Sequence, residues 1–232
     1  MIFGNGLIAK ELKKFKFFDD FNIIAMGISN SKEENEYQYK RQEIEILRCI
    51  NTIKKYYPGK QTIYISSIIS NNELLYFKKK VEIEEILKAE IKDLKIVRLT
   101  NVVGLNQNPN NIFKYFFDQI GLDNMIKVNS NAIRNIIDVN DVALILIDQL
   151  SLGCNNDIKI GYKENISALI LAEIIQRHYG KTNLVKSFLG EFNYVGLNNH
   201  EIKFLDNYFE GFISVDSYIS TLIDKYFIKT KV

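Results

Sequence analysis

The sequence predicts an α/β fold, a Rossmann-like doubly wound parallel sheet with a small mixed α/β C-terminal lobe. Three observations carry that prediction. A glycine-rich turn, Gly4-Asn5-Gly6-Leu7-Ile8-Ala9, follows the first apolar residues directly. Apolar runs then alternate with amphipathic stretches as far as Leu99, the order that builds parallel βαβ units. Beyond that point the runs shorten and the alternation loses regularity.

The elements follow in order. Met1-Ile2-Phe3 is apolar enough for a short buried strand, which Gly4 and Gly6 break. Leu7, Ala9, Leu12 and Phe15 then recur at helical spacing. Asn22 to Met26 reads as a second strand ending at Gly27. Glu33 to about Tyr56 is a long helix with Ile46, Ile50, Ile53 and Tyr57 on one stripe and Pro58-Gly59 as its stop. Thr62 to Ile65 is a strand ending in Ser66-Ser67, Asn72 to Ile91 a helix, and Leu94 to Leu99 a strand. In the second half, 111–120, 140–150, 167–179 and 215–227 read as helices, and 125–128, 134–137 and 157–160 as short strands. The organisation expected is a Rossmann-like part over 1–108 and a lobe over 109–232 in the same structural unit.

Composition excludes several classes. The chain has 232 residues, is 47% hydrophobic and carries a net charge of +2, with both signs spread throughout, so no nucleic-acid patch is indicated. No apolar run approaches the ~18 residues of a membrane helix, and no signal-peptide pattern opens the sequence. Cys49 and Cys154 lack ligand spacing, and His178 and His200 have no partnered carboxylate or cysteine. A reduced cytoplasmic protein without a metal site or a membrane contact is the expectation. The aromatic tail from Phe204 to Phe227 fits a terminal helix covering the core.

Candidate chemistry sits at strand ends, where open α/β sheets bind ligands. Strand, Gly-x-Gly-x-x-Ala and helix together aim backbone N–H groups at a pyrophosphate, although a glycine turn there also arises for geometric reasons. Tyr76 and Lys80 stand at i and i+4 on the helix after Ser66-Ser67, so an ammonium can approach a phenol and lower its pKa. A phenol so tuned can exchange a proton with a carbonyl or an alcohol, and a serine hydroxyl opposite would orient the oxygen. The run Lys78-Lys79-Lys80 also fits a solvated helix face.

The ordered set of motifs resembles the extended short-chain dehydrogenase/reductases, the NAD-dependent epimerase/dehydratase group acting on nucleotide sugars. The matching pieces are Gly6 to Ala9, Tyr64-Ile65-Ser66-Ser67, Tyr76 to Lys80 with Glu84, and Val97 to Gly104. Arg134 to Val142 and Ile160-Gly161 with Ile166-Ser167 and Leu171-Ala172 complete a nearly end-to-end match. The resemblance implies NAD or NADP on Gly4, Asn5, Gly6, Leu7, Ile8, Ala9, Gly27, Ser29, Ser66 and Lys80. It implies Tyr76, Lys80 and Ser67 as the catalytic set, although the family often uses the residue after Ser67, here Ile68. Arg134 would hold the diphosphate of a nucleotide-sugar substrate, with Asn101 and Ser67 also on the substrate. Asp141 reads better as a helix cap than as a ligand contact. Family members often dimerise through two long helices, which here are Glu33 to Tyr56 and Asn72 to Ile91.

Departures from the family pattern are as informative. About 20 residues beyond the glycines an acid should grip the ribose, yet Ala25-Met26-Gly27-Ile28-Ser29 offers neither acid nor arginine. That strand looks more like the family's fourth than its second, so two strands and a helix on the adenosine side are missing, and the 67–76 loop is short. Two readings follow: an NAD(P)-dependent reductase or epimerase of a nucleotide-linked keto sugar, as in bacterial surface-polysaccharide pathways, or a sugar-nucleotide-binding or partner protein on the same fold without redox chemistry.

Overall fold

A computed structural model describes residues 1–68, 74–153 and 157–228; Asn72, most of the 67–76 loop and Cys154 lie outside them. In chain order the elements are β1 (Ile2–Phe3), α1 (Leu7–Leu12), β2 (Asn22–Ile24), α2 (Glu36–Tyr56), β3 (Thr62–Ser67), α3 (Leu75–Glu90) and β4 (Leu94–Leu99). There follow β5 (Asn101–Val103), α4 (Ile112–Gly121), β6 (Ile126–Asn129), β7 (Ala132–Arg134), β8 (Ile136–Asp138), α5 (Val139–Ser151) and β9 (Ile158–Ile160). The last are β10 (Ile166–Ser167), α6 (Ala168–His178), β11 (Val185–Phe188), β12 (Asn193–Val195), α7 (Asn199–Leu205) and α8 (Val215–Ile223).

Two compact units emerge, one of residues 1–99 with 139–160 and the other of 100–138 with 161–232. The sequence suggests a single division at 108, whereas the contacts return α5 and β9 to the first unit.

The first unit is built on a five-stranded sheet in the order β1-β2-β3-β4-β9, parallel throughout. Its strands are nearly continuous apolar runs, as a sheet buried on both faces requires. Ile24, Tyr64 and Ile96 stand in register across β2, β3 and β4 and pack under Ile46, Ile50 and Ile53 of α2 and Ile83 and Leu87 of α3. Ile23, Ile63 and Val97 on the opposite face are equally buried. Asn35 caps α2 by accepting a hydrogen bond from Tyr37 N at 3.0 Å, and Pro58-Gly59 follows its end. α1 packs against α5, and Asn140 of α5 donates to buried Glu11 of α1 at 3.3 Å. Asp141 lies in the first turn of α5 rather than ahead of it, so it complements the helix dipole instead of capping from outside.

The second unit contains a β10-β7-β12 sheet and the pairs β6–β11 and β5–β8. The expected strand 134–137 is in fact two, because Asn135 leaves the ladder to serve as a hub. Completely buried, it donates to Tyr162 O at 2.8 Å and accepts from Tyr162 N at 2.7 Å and from Thr100 Oγ1 at 3.0 Å. α4 and α8 pack on α6. The tail covers this unit's core as expected, with Leu205, Phe209, Tyr218, Ile219 and Leu222 buried and the Tyr162 and Tyr218 rings stacked 4.0 Å apart. No helix of the described residues is long and apolar enough to cross a membrane.

Candidate active site

In a parallel sheet all carboxyl ends share one edge, so Gly4, Gly27 and Ser67 come to one side of the first unit. Gly4 has φ +124°, and a Cβ added there would stand 2.1 Å from Ala25 O; only glycine fits between β1 and the end of β2. Gly6 is different: a Cβ there would meet nothing within 4 Å, which leaves its backbone open to a ligand. Asn5 and Gly6 are exposed, Leu7 and Ile8 half-buried, and Ala9 buried beneath the turn. Lys13, which the motif reading passed over, folds back to donate to Gly4 O at 2.9 Å and to Asn5 Oδ1 at 3.4 Å. It sets a cation on the rim of the turn.

At the end of β2 the backbone turns through Gly27, at φ +130°, against the Gln42 side chain. Gln42 Oε1 accepts from Ile28 N at 2.8 Å, which fixes the path toward exposed Ser29. The periodicity of α2 identifies Gln42 only as a polar residue on the inner side.

β3 and α3 carry the candidate residues Ser66, Ser67, Tyr76 and Lys80. Tyr76, buried on the first turn of α3, lies close enough to Ser67 for that hydroxyl to favour its phenolate form. Burial pushes its phenol above the ordinary value, and the neighbouring Ser67 hydroxyl pulls the other way. The net shift is upward, the reverse of what the Tyr-x-x-x-Lys spacing suggested, because desolvation outweighs the other effects. The Lys80 ammonium lies over ring faces, 5.6 Å from the Tyr76 centroid and 6.0 Å from that of Tyr64, and is not directed at the phenol oxygen. Of the run Lys78-Lys79-Lys80, only the first two fit a solvated face; Lys80 is 7% exposed. Burial brings its pKa down to about 8 against the opposing charge of Glu84.

Glu84, one turn beyond Lys80 and 2% exposed, accepts from Ser66 Oγ at 2.6 Å and from Nε and Nη2 of Arg98. Arg98 also reaches Asp157 at 3.0 Å. The two serines therefore divide. Ser66 gives its hydroxyl proton to Glu84, whereas Ser67 lies beside Tyr76. Ile68, the family's alternative position, is buried and apolar.

Arg134 and Asn101 belong to the second unit. Nη1 of Arg134 donates to Ile133 O at 2.7 Å and to Asn193 O at 3.1 Å. No carboxylate among the described residues pairs with this half-buried guanidinium, and burial alone lowers its pKa. A fixed cation without a counter-charge suits an anionic ligand. Asn101 gives its amide to Asn135 O at 3.1 Å. No cluster of His, Cys, Asp or Glu able to hold a metal ion occurs among the described residues.

Solved structures share this fold over nearly the whole chain. A dTDP-4-dehydrorhamnose reductase of Clostridium acetobutylicum is 17% identical with a TM-score of 0.73, over 96% of this chain and 97% of that one. RMD of Pseudomonas aeruginosa, complexed with NADPH, is 14% identical with a TM-score of 0.73, over 100% and 98%. UDP-glucose 4-epimerase of Thermus thermophilus, complexed with NAD, is 14% identical with a TM-score of 0.70, over 97% and 83%. The chain thus has the Rossmann-like fold that these structures share. No family model and no curated protein sequence matches it.

Proposed function

We propose that the protein is an NAD(P)-dependent reductase of a nucleotide-linked keto sugar. The observation that carries this reading is the placing of the Lys80 ammonium 5.6 Å from the Tyr76 ring, with Ser67 beside the same phenol. The raised phenol favours the reductive direction, since a group protonated at neutral pH is an acid rather than a base. A reduced nicotinamide, when bound, supplies hydride to the carbonyl carbon. Tyr76 gives its phenolic proton to the carbonyl oxygen, Ser67 hydrogen-bonds that oxygen, and the phenolate regains a proton from solvent. Lys80 supplies positive charge beside the phenolate as it forms. In the second unit, the guanidinium of Arg134, without a carboxylate partner among the described residues, is the group suited to a diphosphate.

The open backbone at Gly6 and the cation of Lys13 suit the phosphate next to the nicotinamide ribose. The place of this chemistry in surface-polysaccharide synthesis is part of the same proposal.

The test is an assay with NADH or NADPH and a nucleotide-linked 4-keto sugar, following loss of the reduced-nicotinamide signal and formation of the alcohol. Stoichiometric conversion is expected. Saturable binding of the sugar nucleotide without oxidation of either cofactor would favour the binding-protein alternative instead.

A further inference from the structure

Open α/β sheets that bind dinucleotides place the ligand where the strand order reverses, with the adenosine ribose at the end of the strand beyond the reversal. In the first unit there is no reversal among the described residues: the order rises steadily from β1 to β9, and β1 pairs with β2 alone. The strands that would lie on the far side of β1 come between α1 and β2 in chain order, and residues 13–21 there contain only a short 3-10 turn. Asp19 and Asp20 in that turn precede β2, so they sit at its amino end, away from the ligand edge. At its carboxyl end, 25–29 contain neither acid nor arginine.

The groups suited to the other half of the cofactor are all present. Gly6 offers open backbone, Lys13 lies on the rim of the glycine turn, and Ser67, Tyr76 and Lys80 occupy the same unit. We infer that recognition stops at the nicotinamide mononucleotide half, so the protein takes NADH, NADPH and reduced nicotinamide mononucleotide with similar affinity. This inference rests on the reductase reading above and adds which part of the cofactor the chain grips. A carboxylate on the adenosine ribose would make about ten- to a hundredfold difference in Kd, the size of a hydrogen bond to a charged group.

Calorimetric titration of the full chain with each of the three reduced nucleotides tests it, independently of turnover. Dissociation constants within about tenfold of one another are expected. Lys13→Ala should weaken all three by a common factor, because each carries the phosphate next to the nicotinamide ribose. A dinucleotide binding about tenfold or more tighter than the mononucleotide, or a preference of that size between NADH and NADPH, would overturn the inference while leaving the reductase reading in place. Absence of binding by all three would overturn both.

Discussion

Two serines side by side show how far single residues could be read. Side chains alternate along a strand, so Ser66 follows the Tyr64 side of β3 toward Glu84 while Ser67 turns to Tyr76. The alternation was visible in the sequence; the partner of each was not, because Glu84 and Arg98 meet only when α3 lies on β4. Ser67→Ala removes the hydroxyl proposed to hydrogen-bond the carbonyl oxygen, and kcat for carbonyl reduction should fall about 10- to 100-fold with unfolding unchanged, since one hydrogen bond to a developing charge is lost. Steady-state kinetics beside a thermal melt checks this. Gly4 makes a stability prediction. Its positive φ and the 2.1 Å approach to Ala25 O were implied by the motif only as a tight turn. Gly4→Ala must move β1 from β2, and a loss of about 2 kcal/mol or more is expected in denaturant titration.

At the scale of elements, α3 decides the behaviour with pH. Its Tyr-x-x-x-Lys spacing was legible, but the sign of the tuning was not, because burial depends on how tightly α2 and β3 close over it. Lys80 has a folded pKa of about 8 against 10.5 for the ordinary group. Between those values the unfolded chain keeps a proton that the folded chain has released, so this group makes stability rise with pH across that window. Below about 8 both states are protonated and the full penalty, about 3 kcal/mol, applies. Lys80→Met should therefore be more stable than the parent at pH 7, with an advantage that shrinks toward pH 10, and should lose turnover. Equal stability of the two at pH 7 would mean that Lys80 is better solvated than its burial indicates. Glu84 opposes the lowering, so turnover that needs charged Lys80 should decline as pH rises through about 8, and Glu84→Gln should move that decline to lower pH. Arg98→Met leaves Glu84 buried without its main partner, and a loss of about 3–5 kcal/mol in unfolding free energy is expected.

For the whole molecule, the parallel sheet and the loss of strands on one side of β1 were legible from apolar runs and from the missing ribose acid. The division into units was not. β9 joins β4 through Val97 and Ile158, a pairing between residues far apart in sequence that no local signal announces. β11 and β12 escaped notice for a simpler reason, since Val185–Phe188 and Asn193–Val195 are short, largely exposed and without alternation. The first unit brings Ser67, Tyr76 and Lys80 together at the end of β3 and the start of α3, and the central claim is that this set performs carbonyl reduction with Tyr76 as the acid. The most direct test compares the parent with Tyr76→Phe in the keto-sugar assay, with sugar-nucleotide affinity and melting temperature measured on the same samples. The account predicts that kcat falls about 10²- to 10⁴-fold, as for loss of a general acid, while affinity and melting temperature hold. Turnover by Tyr76→Phe within about threefold of the parent, well short of even the smallest loss expected for a general acid, would contradict it.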